Sequence, residues 1–385
     1  MLGAINIGTW TFFLGAFGAQ LGLEATFNEQ LIFMIVITAS QALVNHLGIK
    51  LTSILTDFSG YLILFGSVAL AVALFAFAPS YDFSRLWTFA NYSGDVGGGV
   101  WPQTESIGLL FALGLLLPIY TITGYDASAH TSEETVKAAV NVPKSMISSV
   151  WWSGVFGWLF LVAVVIAIPN MDAAAGQGWS VFFWTLNEVL PGPLKFVLLL
   201  IILAAQYLCG LATVTSVSRM IFAFSRDGGL PGSNALKKVS TTYRTPVAAI
   251  WTGSVLAVLF TAYTPLYTTI VSVTVIFLFL SFTVPIALGL MAFGKTWTVM
   301  GPWNIGGWYR VFAVLSIVAM VLIFFIGIQP PNDKALWITV GFLVLTAIVW
   351  FGFERKRFQG PPIGAEIEKL AAAIKQAEQA VGETR

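Results

Sequence analysis

Apolar residues in this chain run in blocks rather than alternating, and ten blocks are long enough, or nearly so, to cross a bilayer. They fall near Gly3–Leu23, Leu31–Leu47, Phe58–Phe77, Ile107–Thr123, Met146–Ile168, Phe196–Phe224, Val247–Tyr263, Thr268–Phe293, Val311–Ile328 and Ala335–Phe353. A helix needs about 20 such residues to span ~30 Å of hydrocarbon, whereas a barrel strand shows only about ten alternating ones, so the pattern predicts helices. Pro118 and Pro285 each interrupt a block, which is tolerated where neighbouring groups re-satisfy the backbone. Glycines Gly15, Gly18 and Gly22 are expected to let neighbouring helices approach closely.

The polar stretches between blocks differ in character. Pro79–Glu105 is long and Gly-rich and holds Asn91-Tyr92-Ser93, a glycosylation-acceptor pattern with meaning only in a eukaryotic secretory route. Pro169–Pro193 contains Trp179–Leu190, predicted to be a short helix lying over the outer face. Ser225-Arg226-Asp227-Gly228-Gly229-Leu230-Pro231 is helix-stop chemistry, with glycine just past the end and proline after it. Past Arg357 the chain turns polar, and Ile367, Leu370, Ile374, Ala377 and Val381 then recur at helical spacing. That divides the chain into a transmembrane helical domain, 1–353, and a cytoplasmic tail, 354–385, with an amphipathic helix.

Composition narrows the class. Hydrophobic residues are 57% of the chain and charged residues 10%, against about 25% charged in a soluble domain. A net charge of +1 gives no sign of a nucleic-acid partner. One cysteine, Cys209, excludes a disulfide framework within the chain, and with only His46 and His130 besides, a His/Cys metal site has too few ligands. No nucleophile–base pair or phosphate loop appears, so neither an enzyme nor a cofactor is expected.

Positive charge sets the expected orientation. Ten crossings put both termini on one side, and that side then holds Lys50, Lys137, Lys144, Arg219, Arg226, Lys237, Lys238, Arg244, Lys295, Arg310 and Arg355-Lys356-Arg357. Only Arg85, Lys195 and Lys334 fall opposite, thirteen against three before the distal tail, so both termini are predicted cytoplasmic in a multi-pass protein of the cell membrane. Trp87, Trp101, Trp151, Trp152, Trp337 and Trp350 fall near predicted interfaces, as belt residues do. Hydrophobic sequence starts at residue 2 with no Lys or Arg before Lys50, which reads as the interior of a longer protein.

Candidate chemistry concentrates in Thr121–Glu134. The block Ile107–Tyr120 carries no charge and ends in Thr121-Ile122-Thr123-Gly124-Tyr125-Asp126, a flexible glycine, an aromatic and a carboxylate together. An ionisable residue at membrane depth marks a substrate or ion path. Asp126 has two readings: a carboxylate facing a cavity, for a cationic group or a proton, or a residue at the inner interface, solvated or capping the helix that follows. Glu133 and Glu134, with Lys137 and Pro143-Lys144 beyond, are either a solvated stretch or half of a gating salt bridge. In Tyr207–Arg219 the hydroxyls of Thr213, Thr215, Ser216 and Ser218 either bond to the preceding turn or a neighbouring helix, or coordinate Na⁺.

Gly124-Tyr125-Asp126-Ala127, Ser132-Glu133-Glu134-Thr135, Pro143-Lys144, the Ser225–Pro231 motif and Gly301-Pro302-Trp303 together resemble the amino acid–polyamine–organocation permeases. The match is nearest their amino acid/choline branch, which includes GABA permeases, and runs to about Pro362. The resemblance implies an all-α integral membrane, leucine-transporter-like inverted-repeat fold, here missing its first two helices, so that the ten spans are the family's third to twelfth. It also implies substrate binding between two broken helices at mid-membrane. Thr121–Asp126 then lies in the broken sixth helix. Tyr120 takes the place of a substrate-covering aromatic, and Thr121 and Ile122 line the pocket with carbonyls. Thr123, Gly124, Tyr125 and Asp126 complete that stretch, with Tyr207 and Thr213 on the eighth-helix equivalent. Glu133, Glu134, Arg226 and Asp227 become gating residues, and Thr215 and Ser216 the Na⁺ candidates. Two departures stand out: the first broken helix is absent, and Phe58–Phe77 lacks the basic residue that proton-coupled relatives often carry there. The expected function is secondary transport of an amino acid or related amine by alternating access, with H⁺ or Na⁺ as coupling ion and the lipid bilayer as solvent. The competing class is a non-transporting membrane remnant; a choline or polyamine carrier is the other alternative.

Overall fold

In the computed structural model the described residues are 1–93, 104–263, 267–330, 332, 334–358, 360, 372 and 376. All ten predicted apolar blocks are helical. Eight helices are long and apolar enough to cross a membrane, and two shorter apolar ones, Ile107–Thr121 and Val247–Tyr263, accompany them. Among the described residues the β structure is limited to an isolated bridge between Phe293 and Trp297.

Apart from short helical turns, the helices in chain order are α1 (Leu2–Leu21), α2 (Phe27–Leu47), α3 (Ile49–Phe77), α4 (Ile107–Gly114), α5 (Leu116–Thr121), α6 (Ala127–His130) and α7 (Ala138–Ala167). There follow α8 (Val181–Val189), α9 (Gly192–Arg226), α10 (Val247–Tyr263), α11 (Tyr267–Ala292), α12 (Trp308–Gly327) and α13 (Lys334–Val349). α3 and α7 start well before the predicted Phe58 and Met146. A hydropathy window sees only the part of a helix that lipid surrounds, whereas the hydrogen-bond ladder continues through the polar turns beyond it.

Local chemistry sets the ends. Gly22, at φ +66, closes α1 in the left-handed region. Thr26 and Glu29 form a capping box that starts α2, Thr26 accepting from the Glu29 N–H while the Glu29 carboxylate accepts from the Thr26 N–H. At the end of α9 the predicted stop is present: Gly228 has φ +79, and the Gly229 N–H closes back on the Phe224 carbonyl at 2.8 Å. Of the three glycines expected to seat a neighbouring helix, only Gly15 does, since a Cβ there would lie 2.2 Å from the Phe183 ring. A Cβ on Gly18 would meet only Leu14 of its own helix, and Gly22 faces open space. The short helix predicted at Trp179–Leu190 is present as α8, preceded by a 3₁₀ turn at Gly178–Ser180.

α9 is the hub, packing on α1, α2, α3 and α10. One core cluster joins α1, α3, α7, α8 and α9 through Phe17, Leu70, Leu74, Ala163, Leu186 and Leu198. A second joins α1, α2, α11 and α12 through Ile7, Met34, Ile270, Val275 and Ile323, and Tyr120 packs against it. Large apolar side chains also cover the outside, for example Phe65, Leu288, Phe325 and Phe353, as lipid contact requires. Trp87, Trp151, Trp152, Trp337 and Trp350 are all exposed. Trp101, the 361–371 stretch and Ile374, Ala377 and Val381 of the expected tail helix lie outside the described residues.

Candidate functional site

The block Ile107–Thr123 is broken twice. Pro118 has no N–H to return to the Gly114 carbonyl, and the helix divides there into α4 and α5, with Leu115 between them. α5 ends at Thr121, and a chain of turns follows in which Ile122, at φ −88 and ψ 0, and Gly124, at φ +89, turn the backbone out of the helix. Only glycine adopts that second conformation without strain. A Cβ on Gly124 would also meet the Met1 side chain at 2.9 Å. The hydroxyls of Thr121 and Thr123 bond back to the carbonyls of Leu117 and Tyr120, at 3.0 and 2.6 Å, so they are spent on the unwinding segment. The Tyr125 ring lies 5.5 Å from that of Phe282 on α11.

Asp126 stands at the start of the single-turn helix α6 but makes no side-chain cap. Its Oδ2 is paired with His130 Nε2 at 3.0 Å, with the side chains 13% and 27% exposed respectively. Among the described residues its other oxygen, Oδ1, takes no hydrogen bond. Asp126 therefore does not cap the helix that follows. His130 is a site residue that the motifs do not include; its i,i+4 spacing from Asp126 is the signal the sequence holds for it.

Beyond α6, the 3₁₀ turn Ser132–Glu134 brings two carboxylates against the far end of α9. Glu134 Oε1 lies 3.0 Å from Arg219 Nε, and Glu133 Oε1 is paired with Arg226 Nη1. Arg226 Nε reaches Asp227 Oδ1 at 3.1 Å. The four expected gating residues therefore meet in one layer, with Arg219 added. The Arg219 side chain is 9% exposed and Glu134 47%. An arginine well inside an apolar block was the available signal for it. A cavity of about 270 Å³ opens in this layer, lined among others by His130, Glu133, Glu134, Arg219 and Arg244.

Tyr207 and Thr213 are held by other contacts. Tyr207 shares a hydrogen bond with Ser40 at 3.2 Å, and Thr213 bonds back to the Cys209 carbonyl at 2.9 Å. Around them runs a buried polar junction of α1, α2 and α9. Asn6 donates to Thr38 and to Gln41, both at 2.9 Å. Gln41 Nε2 donates to Asn6 Oδ1 and to the Tyr207 carbonyl, both at 3.1 Å. Asn45 donates to the Leu211 carbonyl at 3.1 Å, and its Oδ1 accepts from Thr215 at 2.7 Å. Ser216 and Ser218 bond back within α9. Such bonds average about 0.6 kcal/mol each inside membranes, so several together are needed to fix three helices.

An all-helical fold among the described residues, with eight helices long and apolar enough to cross a bilayer, defines a multi-pass membrane protein. Residues 1–352 match the family described as "Amino acid permease", and the chain belongs to it. The chain is similar to amino-acid permease BAT1 of Arabidopsis thaliana, at 31% identity over 83% of this chain and 65% of that protein. It is also similar to the BAT1 homolog of Oryza sativa subsp. japonica, at 30% over 86% and 66%. Amino-acid permease 2 of Neurospora crassa is 27% identical over 85% and 61%. The chain thus spans just under two thirds of the length of these relatives.

Proposed function

We propose that this chain is the greater part of a secondary transporter that carries an amino acid or a related amine across the cell membrane by alternating access. The observation that carries the proposal is the break at Thr121–Asp126: a glycine at φ +89 and a carboxylate with one unpaired oxygen, within a helical fold of the amino acid permease family. Unwinding frees the carbonyls of Thr121 and Ile122, and Asp126 offers charge to an ammonium group. These are the polar groups that a small zwitterion or amine needs in an otherwise apolar interior. Tyr120 and Tyr125 supply the aromatic cover; Tyr207 and Thr213 set the wall on α9.

The charge bias makes the layer of Glu133, Glu134, Arg219, Arg226 and Asp227 cytoplasmic, and both termini with it. In this reading the layer is the inner gate. Its ion pairs tie the segment after the break to α9, and parting them opens the route from Asp126 to the cytoplasm. Thr215 and Ser216 are the candidates should Na⁺ be the coupling ion.

The test is uptake into proteoliposomes holding the full-length protein, with radiolabelled amino acids, GABA, choline and polyamines offered under imposed Na⁺ and pH gradients. Saturable uptake of at least one of them is expected. Uptake no greater than in empty liposomes for every compound favours a non-transporting remnant and overturns the proposal.

A further inference from the structure

We infer that His130 makes Asp126 an exchange site, at which the proton of the His130 imidazolium and the ammonium group of the substrate compete for one carboxylate. The inference rests on the transport reading above and deepens it by naming how that site is regulated. Asp126 Oδ2 is 3.0 Å from His130 Nε2, so the protonated ring neutralises the carboxylate from one side. Oδ1 is left for an ammonium ion. With both cations in place, two positive charges share one negative charge in a largely buried setting, which Coulomb repulsion disfavours.

The balance is simple. A cationic substrate binds Asp126, and the imidazolium gives its proton to water in the adjoining cavity and becomes neutral imidazole. The net charge at the carboxylate is the same before and after. His130 itself lines the 270 Å³ cavity, so the proton has a place to go without crossing the fold.

The other charged groups around the pair support this assignment. Glu133 and Glu134 face the cavity from the 3₁₀ turn, Arg219 from α9, and Arg244 from the loop before α10. Glu134 is taken by Arg219 and Glu133 by Arg226, so neither carboxylate replaces Asp126 as the partner of His130. On α7 the contact to α6 is Ser145, which shares a hydrogen bond with Ser128 at 3.0 Å, with Lys144 beside it in sequence. Tyr125, next to Asp126 in the chain, turns its ring toward Phe282 on α11.

The experiment uses the full-length protein in detergent, weakly buffered and with a pH-indicating dye. The probes are choline, whose charge does not titrate, GABA and L-arginine. Binding is read by thermal shift and by a titration at each pH from 5.5 to 8. The expected result is release of up to one proton per bound probe. Apparent affinity weakens as the pH falls, approaching about tenfold per pH unit for strict exclusion. His130→Gln removes the proton release and flattens the pH profile. A merely structural role for His130 lowers thermal stability and leaves both unchanged. His130→Asn serves if the glutamine variant fails to fold. A flat wild-type profile, or proton release that survives in the His130 variant, overturns the inference while leaving the transport reading intact. If no probe shifts the melting temperature, amine recognition at Asp126 falls, and the exchange site with it.

Discussion

Gly210 lies on α9 against Asn6 of α1 and Gln41 of α2, and replacing it with alanine sets two known effects against each other. Glycine in a helix interior is about 1 kcal/mol less favourable than alanine, so propensity alone makes Gly210→Ala stabilising. A Cβ there, however, would sit 2.2 Å from Gln41 Nε2 and 2.8 Å from Asn6 Oδ1. Gln41 has to swing away, breaking its bonds to Asn6 Oδ1 and the Tyr207 carbonyl and the one it accepts from Asn6. Three bonds at the membrane average of about 0.6 kcal/mol come to about 2 kcal/mol. At the roughly 1–1.5 kcal/mol usual in soluble proteins they come to about 3–4 kcal/mol, the more apt figure if the freed amides stay buried and unpaired. The clash wins, with a net loss of about 1–3 kcal/mol. The assay is thermal unfolding of the purified protein in detergent, where Gly210→Ala lowers the melting temperature by several degrees. Gly60→Ala is the control, because a Cβ on Gly60 meets nothing within 4 Å; it should hold or raise the melting temperature. In a Gln41→Ala background the Gly210→Ala penalty should shrink to what displacing the Asn6 side chain costs. A Gly210→Ala protein as stable as wild type, without that second change, refutes the account of the junction.

Three further outcomes follow from the site and its surroundings. Glu134→Gln should destabilise more than Arg219→Gln, by about 1–3 kcal/mol against under about 1, because the first leaves a buried guanidinium without its carboxylate and the second leaves a half-exposed carboxylate that water can solvate; equal melting temperatures would contradict the burial of Arg219. Gly124→Ala forces a Cβ into φ +89 and should cost about 1–2 kcal/mol by thermal unfolding, with uptake per folded molecule reduced as well; unimpaired stability and uptake would mean that the break does not need its glycine. On the opposite face, hydrogen bonds from Ser84, then the charge of Arg85, hold the exposed Asp82 carboxyl below its ordinary value. Its contribution is therefore complete above about pH 3.9, the usual unfolded value, and is lost only as pH falls through the lower folded one. Protease cleavage within 82–93 should stay constant from pH 7 to 5; a rise within that range would show that the Asp82 contacts do not hold the loop.

Much of this architecture was legible in the sequence because lipid imposes a simple rule: long apolar blocks become helices. All ten blocks did, and the helix stop at Gly228 and the short helix before Pro191 followed from local chemistry. What the apolar pattern could not show is where a helix continues into water, hence the late starts predicted for α3 and α7. The break at Gly124 was visible as a composition change, yet its consequences were only half visible. The partners of Glu133 and Glu134 lie some ninety residues away on α9, and such pairing is a property of packing that no local spacing encodes. Gly18 and Gly22 looked like Gly15 in the sequence. Only the fold shows that one of the three meets a neighbouring ring.

Asp126→Asn tests the central claim most directly, because asparagine keeps the size and one acceptor oxygen while removing the charge. In proteoliposomes holding the full-length protein, matched for amount and melting temperature, the account predicts that uptake of the preferred radiolabelled amine falls at least about tenfold, the loss of one charged contact worth about 1.4 kcal/mol or more. Uptake at the wild-type rate would place the substrate elsewhere and contradict the assignment of Thr121–Asp126 as part of its binding site.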